Sequence, residues 1–308
     1  MTVGVLVMAY GTPAGPDEVE AYYTHIRRGR PPTEEQLADL VRRYDALGGT
    51  SPLAERTRAQ VRAIDDALQQ VSAGGFVTAL GQKHAAPFVE DGVTELAEAG
   101  VDRIVGVVLA PHYSAGSVAQ YHERAAAASA ERSLPFAGID SWHLLPELIE
   151  FQAAAVRDAL ATLPERTKVV FTAHSLPERV LEGDPYPDQL RQSAEATARA
   201  AGLATWAGWG LGWQSAGRTP EPWRGPDVLE IVSDLAATGR SDGILIVPQG
   251  FTSDHLEVLY DLDVEAATVA AEVGLAFGRT RVVNDDPEVM GALARTIAAA
   301  ADDIRTAP

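Results

Sequence analysis

Eight short apolar runs, each trailed by a stretch of helical periodicity, constrain this chain more than any other feature. The runs lie at 3–9, 76–81, 102–110, 135–140, 168–174, 204–210, 243–248 and about 275–283. Helical patterns cover 17–27, 34–47, 52–72, 86–99, 115–131, 145–163, 186–201, 226–238, 254–273 and 287–306. Such alternation calls for parallel sheets with helices on both faces. Four strands precede residue 142 and four follow it. The pattern therefore predicts an α/β fold of two similar doubly wound lobes, 1–142 and 143–286, with a final helix at about 287–308 packing back on the first lobe. A chain of 308 residues, 46% of them hydrophobic, has ample core for this.

Charge and cysteine usage narrow the function classes. Lys and Arg number 25 against 43 Asp and Glu, a formal charge of −18. That disfavours nucleic acid and anionic membrane surfaces as partners. The chain has no cysteine, which excludes disulfides, thiolate zinc sites and cysteine-ligated iron–sulfur clusters. The start, MTVGVLVMAYGTP, lacks a basic n-region, and no window approaches 18 apolar residues. The expected location is the cytoplasm.

In doubly wound sheets, ligands bind outside the carboxyl ends of the strands. The residues found there are Tyr10, Lys83-His84, His112-Tyr113, His174-Ser175, Trp213-Gln214 and the acidic stretch after 243–248. The two halves are expected to present these side chains into one crevice.

The stretch 243–265, GILIVPQGFTSDHLEVLYDLDVE, reads as a buried strand, a Pro-Gln-Gly break and a helix entered through Ser253 or Asp254. On that helix Glu257, Asp261 and Glu265 fall at i, i+4 and i+8, a slowly drifting line of carboxylates. Like charges at this spacing cost about 0.2–0.5 kcal/mol per pair, which a cation or a moving proton would offset. A plainer reading has Glu257, three residues after Asp254, completing a capping box. His174, ending the run KVVFTAH, could be an ordinary loop hydrogen-bonding residue. Paired with Glu257 it becomes an open His–carboxylate site, able to hold a divalent iron-like metal or to accept protons.

Arg27, Arg28 and Arg30 end one helical pattern, and Arg42-Arg43-Tyr44 closes the next. They can serve the helix dipole or capture ligand carboxylates through forked guanidinium groups. Tyr10, Tyr22, Tyr23, Tyr44 and Tyr121 could line an aromatic slot, with Tyr22 or Tyr23 as core. The segment 205–228 holds four tryptophans and reads either as an irregular packed loop or as a wall against a large flat ligand.

Together MAYGTP, YYTHIRRGR, RRYDALGGTSPL, LAPHYS, AHSLP, GDPYPDQL, GWQS, TPEPWRGPD and GFTSDHLEVLYDLDVE resemble the ferrochelatase family, in order from the first strand to about residue 265. The AYGTP start and short C-terminus resemble its Gram-positive, coproporphyrin III branch. The resemblance implies two Rossmann-like, chelatase-type lobes and a lyase of haem biosynthesis, one that inserts Fe²⁺ into coproporphyrin III. Iron is then a substrate, with no permanently bound cofactor and no iron–sulfur cluster. His174 is implied as base or metal ligand, Glu257 as its partner across the porphyrin, and Asp261 and Glu265 as a relay or second metal site. Tyr10, Arg27, Arg43, Tyr44, Ser51 and Tyr121 match porphyrin-contacting positions, with Tyr10 as axial ligand to product iron, and Lys83 and His84 match a pair near the same cleft. A transient contact with the next haem-pathway enzyme is the further partner expected. The competing expectations are protoporphyrin IX as substrate, or a non-catalytic porphyrin carrier on the same fold.

Overall fold

The computed structural model describes residues 2–204, 208–217 and 219–306. It contains two compact units. Met1–Ala110, Ala115–Trp142 and Asn284–Pro308 form the first, and Pro111–Ser114 with His143–Val283 form the second. Residues 111–114, expected in the first lobe, thus belong to the second. The cause is local: His112 Nε2 lies 2.8 Å from Ser193 Oγ, the Tyr113 N–H donates to Gln189 Oε1 at 2.7 Å, and Ser114 Oγ donates to Asp184.

In chain order the first unit runs β1 (Val3–Ala9), α1 (Val19–Ile26), α2 (Glu34–Ala46), α3 (Leu53–Val71), β2 (Phe76–Gln82), α4 (Val89–Glu98), β3 (Arg103–Val108), α5 (Val118–Ala130) and β4 (Phe136–Ile139). Its four strands are parallel in the order β2-β1-β3-β4. Both central strands, VGVLVMA and RIVGVV, are buried at every position. Covered on both faces, such strands become continuous apolar runs rather than alternating ones.

The second unit repeats the plan with α6 (Pro146–Leu160), β5 (Thr167–His174), α7 (Glu178–Leu181), α8 (Tyr186–Ala200), β6 (Trp209–Gln214), α9 (Val228–Thr238), β7 (Gly243–Val247), α10 (Leu256–Leu259), a π-helical turn (Asp261–Ala266), α11 (Ala267–Glu272) and β8 (Ala276–Arg279). Its order is β6-β5-β7-β8, again all parallel. The last helix, α12 (Pro287–Thr306), belongs to the first unit. There Gln60 Nε2 donates to Asn284 O at 2.9 Å, and Arg103 Nε donates to Ala301 O at 3.2 Å. No helix among the described residues is long and apolar enough to cross a membrane.

Two expectations are corrected here. The strand placed at 204–210 is the edge strand Trp209–Gln214. Gly212 lies close against the neighbouring side chains there, since a Cβ would come within 2.7 Å of Ile231 Cδ1 and 3.0 Å of Val170 Cγ1. The tryptophan-rich segment 205–228 is accordingly part strand. Of its tryptophans, Trp206 lies outside the described residues, while Trp213 is buried in the core with Tyr186 and Leu190. The single helix expected over 254–273 is broken into three pieces, with a π turn in the middle.

In each sheet the winding direction reverses at the first strand. The switch points lie at the carboxyl ends of β1 and β3 in one unit and of β5 and β7 in the other, where doubly wound sheets place ligands.

Candidate active site

His174 is the last residue of β5, paired in register with Gln214 of β6. The chain leaving β7 passes tightly beneath it. An added Cβ on Gly250 would come within 2.6 Å of Ala173 Cβ and 2.9 Å of Ala173 Cα, an approach that glycine alone permits. From there the backbone turns into α10, which carries Glu257. The switch point of the second sheet therefore brings together the two residues singled out for chemistry.

His174 Nε2 lies 3.5 Å from Glu257 Oε1. Its Nδ1–H donates to Ser175 O at 2.5 Å, which leaves Nε2 aimed at the carboxylate. The expectation that Glu257 faces His174 across a porphyrin is thereby corrected. The two groups touch, side by side in one unit, with no room for a macrocycle between them. Burial opposes a charge on His174, but the Glu257 carboxylate, its hydrogen bond, the Ser175 carbonyl and Asp261 outweigh it and raise the pKa to about 9. Burial also favours a neutral Glu257, yet His174 and His255 hold its carboxyl well below the usual range. At neutral pH the pair is imidazolium and carboxylate, with about a third of each side chain open to water.

The opposite oxygen of Glu257, Oε2, is 3.7 Å from His255 Nε2. His255 Nδ1–H donates to Ser253 O at 2.9 Å. The sequence reading missed His255 because a helix starting at 254 would turn it roughly 200° away from Glu257. The helix instead begins at Leu256, and His255 is extended, with φ −158°. The Glu257 carbonyl accepts from Gln214 Nε2 at 2.8 Å, and Gln214 is held by Thr172 Oγ1 at 2.9 Å.

Asp261 opens the π turn and is buried, with its carboxylate accepting a hydrogen bond from Ser215 Oγ. Ser215 holds φ at +59° to reach it. The wide turn is marked by the Glu265 N–H donating to Tyr260 O at 3.0 Å, five residues back. Four residues of α-helix advance a side chain by roughly 40° beyond a full turn. Over Asp261–Ala266 the wider π turn departs from that advance. Turns of this kind gather at functional sites.

Among the candidates of the first unit, Tyr10 follows β1 at its switch point and is 44% exposed. Its ring lies 4.6 Å from that of His84, whose Nδ1 is 3.0 Å from His25 Nδ1. Burial, with Lys83, His25 and Arg124 nearby, lowers the His84 pKa to about 3. Burial beside Arg124 and Arg28 lowers Lys83 to about 8, and its ammonium stands 5.0 Å above the Tyr121 ring. Tyr121 is buried, and its hydroxyl is pushed above the usual phenol range by burial and by Tyr10. Arg124, which the sequence reading passed over, forks onto Glu90 and donates to Lys83 O at 3.0 Å.

The remaining candidates are spread over the helices of that unit. Arg27 Nε donates to Arg30 O at 3.2 Å, with its guanidinium 5.6 Å from the Tyr23 ring centre. Arg43 pairs with Asp39 one turn back at 3.2 Å. Tyr44 is buried, with its hydroxyl 3.3 Å from Thr12 Oγ1. Ser51 Oγ accepts from the Leu53 N–H at 3.2 Å at the start of α3.

Two lobes, each built on a four-stranded parallel sheet flanked by helices, define the fold class. Among solved structures, the chain is similar to the sirohydrochlorin chelatase SirB of Bacillus subtilis subspecies spizizenii in complex with cobalt. The TM-score is 0.57 at 13% identity, over 98% of this chain and 97% of that one. It is also similar to CbiX, the terminal enzyme of sirohaem biosynthesis in denitrifying bacteria, at TM-score 0.54 and 16% identity, over 96% and 99%. At those identities the likeness speaks for a chelatase-type fold alone.

Sequence comparison is more specific. The ferrochelatase family model matches residues 2–301. The coproporphyrin III ferrochelatase of Geobacillus kaustophilus is 44% identical over 303 residues, 96% of this chain and 95% of the relative. That of Bacillus subtilis is 42% identical over 303 residues, 96% of each. The chain belongs to the ferrochelatase family.

Proposed function

We propose that this protein inserts ferrous iron into coproporphyrin III, forming Fe-coproporphyrin and releasing two protons, as a cytoplasmic step of haem biosynthesis. The observation that carries the proposal is the His174–Glu257 pair at the switch point of the second sheet, in a chain similar over nearly its whole length to coproporphyrin III ferrochelatases. Two N–H protons must leave the macrocycle before its four nitrogens can take a metal. Remote binding energy, here from the substrate carboxylates, can supply the distortion that exposes a nitrogen lone pair.

Because the resting pair already holds a proton on His174, His174 accepts a ring proton only after that one departs. Asp261 and Glu265 on the π turn are the groups we assign to carry it off. An arriving metal ion competes for the same imidazole, since only its neutral form ligates. His174 and Glu257 are the residues that would hold iron before insertion. Tyr10 is assigned as axial ligand to the product iron, and Arg27, Arg43, Tyr44, Ser51 and Tyr121 as contacts to the porphyrin and its carboxylates. Product then passes to the next enzyme of the pathway through a transient contact.

Side-by-side turnover with coproporphyrin III and protoporphyrin IX tests the substrate. Coproporphyrin III should have the higher kcat/KM; efficient use of protoporphyrin IX alone would overturn that part while leaving the reaction type intact. Arg27→Ala and Arg43→Ala should each raise the porphyrin KM more than they lower kcat, because a charge-assisted contact to a carboxylate contributes about 1.5–3 kcal/mol. An unchanged KM in both variants counts against the carboxylate assignment.

A further inference from the structure

Arg279, the last residue of β8, was not among the candidates, yet it holds the acidic segment after Glu257 and borders it before. Its Nε donates to Asp263 Oδ1 at 2.6 Å and its Nη2 to Asp263 Oδ2 at 2.8 Å, a two-pronged fork. Its Nη1 donates to Thr280 O at 3.0 Å and lies 3.6 Å from Asp254 Oδ1. The guanidinium is largely buried. Asp263 sits within the π turn, and Asp254 immediately precedes His255.

A π turn is a rare backbone state that persists where its surroundings support it. The planar fork on Asp263 provides such support, and it comes from the end of a strand paired in the sheet to β7. A guanidinium is suited to this because its donors are preset for two carboxylate oxygens, a geometry that a lysine ammonium cannot reproduce. With Asp254 beside the same group, one side chain borders the segment before Glu257 and holds it after. Gln214 adds a third tether, on the Glu257 carbonyl.

We infer that Arg279 is a positioning residue for metal handling: by clamping the π turn through Asp263, with Asp254 alongside, it holds Glu257 against His174. The kinetic part of this inference rests on the metal-insertion reading above, while the geometric part does not.

The test compares Arg279→Met, Arg279→Lys and Asp263→Asn with the wild-type chain, using Zn²⁺ and Fe²⁺ as metals. Arg279→Met and Asp263→Asn should each raise the metal KM by about tenfold or more, equivalent to about 1.4 kcal/mol, while porphyrin affinity by fluorescence quenching stays unchanged. The double variant should be no worse than either single one, as expected of residues acting through one contact, and Arg279→Lys should recover only part of the loss. Independently of activity, the imidazole nitrogen shifts of His174, assigned by comparison with His174→Ala, should lose the signature of its Glu257 partner in Arg279→Met. A merely structural role would lower thermal stability and leave the metal KM and the His174 shifts as they are in the folded variant, which overturns the inference. Parallel loss of metal and porphyrin binding overturns it as well. Should the wild-type chain metallate no porphyrin, the functional reading fails, and the His174 shifts still decide the role of Arg279.

Discussion

His174→Ala should abolish metal insertion while leaving the protein folded and able to bind porphyrin. The ring nitrogens cannot take a metal until two protons leave, and a positioned proton acceptor contributes about 10²–10⁴-fold to such a step. His174 ends β5 with about a third of its side chain open to water, so its truncation opens no large core cavity. The check is absorbance-followed insertion of Zn²⁺ or Fe²⁺ beside fluorescence titration with the porphyrin. Normal turnover by the variant would remove His174 from the mechanism. Loss of porphyrin binding in step with activity would reassign it to substrate capture.

Glu257→Gln should give the second large effect, on the His174 titration itself. Burial lowers an imidazole pKa and the carboxylate raises it, and at His174 the carboxylate side wins, giving about 9. With a neutral amide in its place, only the Ser175 carbonyl and Asp261 still oppose burial, and His174 should titrate well below about 9. Nuclear magnetic resonance of the imidazole in both proteins measures this directly; a His174 still charged well above neutrality in the variant would mean that Glu257 is not what holds its proton.

The same pair sets a pH window for stability. The folded pKa of His174 is raised, so its contribution is complete below roughly pH 6.5 and fades as pH rises through about 9. Glu257 is depressed, so its contribution is complete above roughly pH 4.3 and fades as pH falls through the folded value. These are one interaction seen from its two partners, and solvent reaching both side chains screens it.

How much of the site was legible varied residue by residue. Tyr10 and His174 were placed at carboxyl ends of strands by the apolar runs they follow or end, while the strand order that makes those ends switch points is a property of the fold. His255 was hidden by a helix start expected two residues before its true place at Leu256. Arg279 was hidden because nothing local says which carboxylates a strand-end arginine will meet. Glu257 was chosen from its i, i+4 line with Asp261 and Glu265, and that line runs through a π turn rather than the plain helix assumed.

Strand and helix periodicities, the absence of cysteine, the acidic balance and the family motifs are properties of neighbouring residues, and the sequence by itself determined them. Local patterning is enough there because a strand buried on both faces must be apolar throughout, and an amphipathic helix must repeat with its turn. The tertiary structure alone decided the rest: that Glu257 touches His174 instead of facing it across a ligand, that β6 begins at Trp209, and that the acidic segment takes a π turn held by Arg279 and Ser215. Each depends on groups brought together from distant parts of the chain, where close approach, as at Gly212 and Gly250, and competing hydrogen bonds choose among backbones that local preference leaves nearly equal.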